Sequence, residues 1–154
     1  MVGVRTNVVT SIEVTEANGA DYRFFEGLLK TTASRFNVQE VSADKAYLGR
    51  SNVAAVGAVG ALPLIPLKKG SVSSGDDLWR RMYHFQKTSP DEFGRHYHKR
   101  SNVETTFSMI KAKFGSYVRS KTTTAQMNEV LCKVLCHNLC CLVQAAYEGG
   151  TTGV

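Results

Sequence analysis

A polar segment, KKGSVSSGDD at residues 68–77, divides the chain into two parts with different hydrophobic patterns. A run of glycine, serine and charged residues indicates a surface loop. Before this loop, short β-branched segments alternate with helical patterns, and after it the pattern is helical to residue 147. A chain of 154 residues with this organisation fits one domain in which helices pack against a sheet.

The predicted order of elements is β-β-α-β-α-β, followed by helices. The β-branched opening, VGVRTNVVTSIEVTE, predicts strands at 2–6 and 8–15 with a turn near Thr6-Asn7. Asp21 is placed to cap a helix over 22–35. The other predicted elements are a short strand ending near Asp44, a helix over 51–61, a short strand or extended segment at 62–67, and helices over 76–87, 91–114 (with a break near 94–101) and 123–147.

The positive charge of the chain lies in its second half. The net charge is +6; residues 1–77 carry 8 Lys/Arg and 8 Asp/Glu, whereas residues 78–154 carry 11 and 5. Such asymmetry favours a polyanionic partner, nucleic acid first. The opening residues do not resemble a signal peptide, and no uninterrupted apolar run approaches the ~20 residues of a membrane span. We therefore expect a cytoplasmic protein without a membrane partner.

One stretch, YHKRSNVETTFSMIK at 97–111, carries polar side chains at helical spacing. On a helix, Tyr97, Arg100, Glu104 and Lys111 fall along one face, because steps of three, four and seven residues stay near whole turns. We call these four the signature residues. The alternative is a solvated face with ordinary ion pairs, such as Arg100 with Glu104. A second stripe, expected to face the core and to leave Glu104 at its edge, comprises Val103, Phe107, Ile110 and Phe114.

Asp44 is a second candidate carboxylate, because it follows the apolar strand pattern VQEV where a turn begins. A carboxylate at a strand end and one on a facing helix can together bind hard divalent ions, which prefer oxygen ligands. Two such ions can activate an attacking hydroxyl and stabilise a leaving oxygen in phosphoryl transfer. The alternative for Asp44 is a turn or cap residue.

The spacing and order of these residues resemble a known family. The pattern Tyr-x2-Arg-x3-Glu-x6-Lys over 97–111 resembles the signature of DDE transposases of bacterial and archaeal insertion sequences. VSADKAY is similar to the family's segment around its second catalytic aspartate, and NEVLCKVLCHNLC is similar to the helix after the signature. The resemblance covers roughly residues 1–147 and implies an α/β, ribonuclease-H-like mixed sheet flanked by helices, with a helical C-terminal half and a disordered tail at 148–154.

The resemblance also implies roles for particular residues. Asp44 and Glu104 correspond to metal-binding catalytic carboxylates for Mg²⁺ or Mn²⁺, with two ions in a complete site and no organic cofactor. Arg100 and Lys111 correspond to residues that hold DNA phosphates, and Tyr97 to a DNA contact or packing residue. The implied reaction is hydrolysis of a DNA phosphodiester followed by attack of the freed 3′-hydroxyl on target DNA. The implied partners are transposon ends, target DNA and a second copy in a homodimer, on the nucleoid.

One departure from the family pattern bears on activity. The family's first aspartate lies on a strand upstream of the segment that matches residue 1, and Asp21 matches a different aspartate. The expectation is therefore a truncated chain that lacks its first strand and first catalytic Asp, with little activity alone. An alternative function is an inactive, DNA-binding or self-associating remnant, and a third is a host nuclease built on the same core.

Several other residues have two interpretations. Cys132, Cys136 and Cys140 lie one turn apart with His137 nearby, but a zinc site normally gathers ligands from separate segments, so we predict small buried hydrophobes beside neighbouring leucines. Trp79 with its adjacent arginines is either a DNA-facing cluster or part of an amphipathic helix. A further set of basic residues either contacts phosphate or has a solvated or packing role; these residues are His84, His96, His98, Lys68 and Lys69.

Overall fold

The computed structural model describes residues 1–15 and 21–150, excluding the side chains of 149 and 150. The described residues fall into two compact units, which we name by content. The sheet unit is Thr15–Ser101, and the helical unit is Met1–Val14 with Asn102–Val154. In chain order the elements are α1 (Phe25–Ala33), β1 (Glu40–Ser42), α2 (Arg50–Ala58), β2 (Leu62–Leu64), α3 (Asp77–Thr88), α4 (Pro90–Tyr97), α5 (Asn102–Phe114) and α6 (Thr123–Gly150).

The sheet unit is built around two parallel strands. β1 and β2 pair with Glu40 opposite Leu62 and Ser42 opposite Leu64, and α2 makes the connection between them. Parallel strands need such a crossover, and the small-residue helix α2 supplies it. The apolar core of this unit consists mainly of Phe25, Leu29, Val53, Val56, Leu64, Ile65, Trp79, Met82 and Phe93.

The helices of the sheet unit follow the predicted pattern, with differences at their ends. Asp21 does not cap α1, because it begins a 3-10 turn, Asp21–Phe24, that precedes the helix. Asp76 does cap α3, since its carboxylate accepts a hydrogen bond from the backbone N–H of Trp79 at 2.7 Å. The break predicted near 94–101 is present as another 3-10 turn, His98–Ser101, between α4 and α5.

In the helical unit, the predicted strands at 2–6 and 8–15 are wrong. Within residues 1–14, backbone pairing is limited to one antiparallel bridge between Val2 and Val9. The chain reverses at Asn7, whose positive φ of 56° is tolerated by asparagine, as the predicted turn requires. The outer backbone groups of Val9 pair with a side chain instead: Asn138 Oδ1 accepts from Val9 N–H at 2.8 Å, and Asn138 Nδ2 donates to Val9 C=O at 2.9 Å.

The connection between α5 and α6 is stabilised by hydrogen bonds to one carboxylate. α5 ends at Phe114, and the next residue, Gly115, has a φ of 84°, which suits glycine just after a helix. Glu129 on α6 then accepts hydrogen bonds from the backbone N–H of Arg119 and from both the N–H and the hydroxyl of Ser120, and it pairs with Lys133 at 3.1 Å. These donors, the backbone N–H of Ser120 first, lower the pKa of Glu129 to about 2.

The predicted burial of the cysteines is wrong. Cys132, Cys136 and Cys140 are exposed free thiols, and Leu131, Leu135 and Leu139 are 43%, 59% and 53% exposed. The buried side of α6 is instead formed by Val134 and by His137, whose Nε2 lies 2.9 Å from the backbone carbonyl of Asn7. Specific hydrogen bonds to residues 7 and 9 therefore decide which side of α6 is covered.

Two further expectations concern the end of the chain and the fold class. α6 continues through Gly150, so the first residues of the tail predicted at 148–154 are helical, while residues 151–154 lie outside the described residues. By length and composition alone, α6 over Thr123–Glu148 could cross a membrane. The chain is a mixed α/β protein, mostly helical, with a small parallel sheet; the ribonuclease-H-like architecture and its missing strand stay predictions.

Candidate active site

Asp44 lies at the surface beyond the end of β1. Its backbone is extended (φ −61°, ψ 154°), and the 3-10 turn Lys45–Tyr47 begins at the next residue. Its side chain is 52% exposed and makes no capping hydrogen bond to that turn. The carboxylate instead accepts a hydrogen bond from Arg100 Nη1 at 3.1 Å. The structure thus presents Asp44 as an accessible carboxylate that faces a cation.

Arg100 is held in position by a column of aromatic rings. Phe93 of α4 is buried, and the ring of Tyr97 stacks on it with centroids 6.2 Å apart and planes 14° apart. The guanidinium of Arg100 lies 6.0 Å from the centroid of Tyr97. Tyr97 therefore links the core to Arg100, and Arg100 links that column to Asp44.

Alternate residues of β1 and its extension contact the segment that carries Tyr97 and Arg100. Glu40 Oε1 lies 2.8 Å from His96 Nδ1, and Glu40 Oε2 accepts from Lys99 Nζ at 3.1 Å. Ser42 Oγ donates to the backbone carbonyl of His96 at 3.4 Å. Because side chains two residues apart along extended backbone point to the same side, the side chains of residues 40, 42 and 44 lie on one side of β1 and its extension. Their contacts attach residues 96–100 to β1.

Glu40 is a contributor to this arrangement that the sequence analysis missed. Burial disfavours its charged form, but the hydrogen bond from Lys99 and the positive charges of His96 and Lys99 outweigh burial and lower the pKa of Glu40. The available signal was the two-residue spacing of Glu40, Ser42 and Asp44 on a predicted strand. That spacing gave no indication of which segment would lie opposite.

Glu104 and Lys111 lie on α5, in the helical unit. Both side chains are exposed, and their separation of seven residues, nearly two full turns, puts them on the same face. The buried face of α5 is centred on Thr106 and Ile110, not on the predicted Phe107, which is 47% exposed. Thr106 can lie on the buried face because its hydroxyl donates to the carbonyl of Asn102 at 2.8 Å, which leaves no unpaired polar group in the side chain.

The signature residues are therefore divided between the two units. Tyr97 and Arg100, with Asp44, belong to the sheet unit, and Glu104 and Lys111 belong to the helical unit. Asp44 suits Mg²⁺ or Mn²⁺ by its chemistry, since it offers hard carboxylate oxygens to solvent, where water and phosphate can complete the coordination. Among residues 1–15 and 21–150, no group of three or more His, Cys, Asp or Glu side chains is arranged to hold a metal ion.

Several residues of the second group of candidates have structural partners. Trp79 is buried, and its indole N–H donates to the carbonyl of Val72 at 2.9 Å while Arg50 lies 4.8 Å from its ring centroid. Arg80 pairs with Asp77 one turn earlier in α3. The amphipathic-helix interpretation thus describes Trp79. The polar contacts of the other candidates are His84 with Ser73, Lys68 with the carbonyl of Leu48, and His96 with Glu40.

A known protein family matches most of this chain. The sequence pattern of the family described as "Transposase DDE domain" matches residues 1–139. Comparisons with curated proteins and with solved structures give no match. The matched segment contains Asp44 and all four signature residues and extends over most of the chain. The chain therefore belongs to the DDE transposase-domain family, whose members act in DNA transposition.

Proposed function

We propose that this chain supplies the catalytic domain of an insertion-sequence transposase that cleaves DNA and transfers the cut strand. The observation that carries the proposal is the Asp44–Arg100 contact, in which an exposed carboxylate at a strand end meets the first cation of the Tyr97–Lys111 pattern. This contact brings together two segments that are 56 residues apart in sequence and that both lie within the matched range 1–139.

In this proposal Asp44 and Glu104 are catalytic residues that hold Mg²⁺ or Mn²⁺ through carboxylate oxygens. When bound, the metal ions supply electrostatic stabilisation for the charge that develops on the transferred phosphoryl group. Arg100 offers a planar fork that can donate two parallel hydrogen bonds to a phosphate, and Lys111 offers a mobile point charge. In this proposal Tyr97, whose ring centroid lies 6.0 Å from the guanidinium of Arg100, helps to position that fork.

DNA as substrate is supported by the charge of the chain. The excess of +6 arises entirely after residue 77, in the part that carries the signature residues. Phosphate contacts by Lys and Arg release counterions, so binding through this part should weaken steeply as salt is raised. A ribonuclease-H-like arrangement of the sheet unit, which its parallel β1–α2–β2 connection supports, belongs to the same proposal.

The test is metal-dependent nicking of supercoiled plasmid DNA that carries the ends of the element. Asp44→Asn and Glu104→Gln each remove one negative charge with little change of shape, and we expect nicking to fall by about 100-fold or more for each. Glu92→Gln is the matched control, because Glu92 is an exposed carboxylate on α4 outside the signature. Its nicking rate should equal that of the wild type.

Other outcomes would identify the alternatives. Salt-sensitive DNA binding without nicking by the wild-type chain would contradict the enzyme and support an inactive DNA-binding remnant. Nicking that shows no preference for element ends would support a nuclease of another role. Equal rates for wild type, Asp44→Asn and Glu104→Gln would remove both carboxylates from the chemistry and with them the proposal.

A further inference from the structure

Cys141 differs from the other three cysteines of α6 in its surroundings. Cys132, Cys136 and Cys140 are exposed free thiols, whereas Cys141 is only partly exposed. Its Sγ lies 3.4 Å from Nε2 of His137, which comes one turn earlier in the helix. Because the imidazole of His137 is fully buried, the Cys141 thiol lies between solvent and a buried polar group.

The contact with Asn7 fixes the position of the proton on the His137 ring. Nε2 lies 2.9 Å from the backbone carbonyl of Asn7, and because a carbonyl can only accept, Nε2 carries the N–H. The other ring nitrogen, Nδ1, is buried and has no hydrogen-bond partner among residues 1–15 and 21–150. The neutral ring therefore has one N–H, and two acceptors lie within its reach: the Asn7 carbonyl and the Cys141 sulfur.

The strength of these two acceptors decides which of them receives the N–H. A thiol sulfur is a weak acceptor, so the Asn7 carbonyl takes the hydrogen bond while Cys141 is reduced. An oxygen atom added to the sulfur would be a stronger acceptor, and when ionised it would form a charge-assisted hydrogen bond. That oxygen would be one covalent bond from Sγ, so it can come within hydrogen-bond distance of Nε2. The buried ring is thus placed to bind an oxidised form of Cys141.

From this geometry we propose that Cys141 is an oxidation site, where hydrogen peroxide converts the thiol to a sulfenic acid that the His137 N–H stabilises. The sulfur attacks one peroxide oxygen, so that an S–O bond forms as the O–O bond breaks. The sulfur loses two electrons, and the thiol proton leaves with the second oxygen as water. A small thiol restores the original side chain through a mixed disulfide.

Oxidation of Cys141 has a consequence at the turn of the N-terminal segment. When the new oxygen takes the His137 N–H, the backbone carbonyl of Asn7 loses its hydrogen bond to α6. The two hydrogen bonds between Asn138 and Val9 do not involve His137 and remain. The expected change is therefore a local loosening around residue 7, in which the Asn7 N–H, bonded to the Gly3 carbonyl at 3.0 Å, opens more often.

The first test compares the sulfenic acids of two single-cysteine chains. One chain keeps Cys141 and the other keeps Cys140, the adjacent exposed thiol, with the remaining three cysteines replaced by serine in each. After one equivalent of hydrogen peroxide, sulfenic acid is followed by intact mass and by trapping with a reagent selective for it. The sulfenic acid should persist about fivefold longer or more at Cys141, the effect of one hydrogen bond. Equal lifetimes, or the absence of sulfenic acid at Cys141, would overturn the proposal.

The second test measures the structural consequence by amide exchange in the same two chains, each compared with its own reduced form. In the chain that keeps Cys141, oxidation should raise the exchange rate of the Asn7 N–H about fivefold, and a small thiol should reverse the change. In the chain that keeps Cys140, oxidation should leave that rate unchanged. An unchanged rate in the Cys141 chain, or an equal rise in both chains, would show that His137 does not exchange its acceptor and would contradict the proposal.

Discussion

The side chain of Asn138 makes the hydrogen bonds to the N-terminal segment that a neighbouring strand would make. The loss of free energy of unfolding that follows from removing them can be predicted. Val9 lies opposite Val2 in the antiparallel bridge, where the backbone hydrogen bonds run from Gly3 to Val8 and from Thr10 to Met1. The N–H and C=O of Val9 therefore point away from the bridge, and the Asn138 amide pairs with both, at 2.8 Å and 2.9 Å. The segment is thus fixed to α6 by a side-chain amide.

Asn138→Leu keeps a similar volume and removes both hydrogen bonds. Each bond contributes about 1 kcal/mol net, and a partly buried backbone group left without a partner costs about 1–3 kcal/mol. The free energy of unfolding should therefore fall by about 2–4 kcal/mol. For a chain of this size, that corresponds to a fall in the melting temperature of roughly 5–15 °C.

The assay is urea unfolding followed by circular dichroism, combined with amide exchange of Val9 measured by NMR. The Val9 N–H should exchange much faster in Asn138→Leu. Asn138→Asp, which keeps an acceptor for that N–H but loses the donor to the carbonyl, should retain slower exchange. Gln144→Leu is a control at an exposed position of the same helix and should change stability by less than about 0.5 kcal/mol. If Asn138→Leu matches this control in stability and in Val9 exchange, the strand-like role of Asn138 is wrong.

Three further predictions concern stability. Because the folded pKa of Glu129 is about 2 against an ordinary 4.5, its stabilising contribution is present above pH 4.5 and is lost as pH falls toward 2; Glu129→Gln should flatten urea midpoints over that window. The pKa of Glu40 is also lowered, so Glu40→Gln should lower stability at pH 7 by up to about 1 kcal/mol, an effect that vanishes at acid pH, measured by the same titration. Met82→Ala should cost about 2–5 kcal/mol in urea unfolding, since Met82 is fully buried. If the two units unfold separately, this change should leave the amide exchange rate of Val9, which belongs to the helical unit, the same as in the wild type.

The helices could be predicted because their signals are local. Apolar spacing over 76–114 gave α3 and α4, and the interruption at the 3-10 turn His98–Ser101 was visible in the run of polar residues there. The strands at 2–6 and 8–15 could not be predicted correctly, because β-branched residues indicate only a preference for extended backbone. The partner of Val9 is a side chain 129 residues away, which no local pattern shows.

The orientation of α6 shows a second limit of sequence analysis. The helix is apolar over most of its circumference, so its pattern gives only a weak preference for one buried face. Hydrophobicity would select the leucines, whereas the fold covers His137 and Asn138 because residues 7 and 9 provide their hydrogen-bond partners. Burial of a polar side chain is favourable only with such a partner, and the partner becomes known only from the structure.

The position of Arg100 affects how mutations in the candidate site should be interpreted. Arg100 contacts Asp44 and lies on Tyr97, so it has a structural role whether or not it also binds phosphate. An exposed ion pair of this kind contributes at most about 1 kcal/mol, so loss of the Asp44 pair should leave the sheet unit folded. Lysine at position 100 would retain the positive charge but lose the planar fork. A large loss of DNA affinity in Arg100→Lys, with an unchanged urea midpoint, would therefore indicate phosphate recognition by the guanidinium, whereas equal losses of affinity and stability would indicate that the residue acts only through the Asp44 contact.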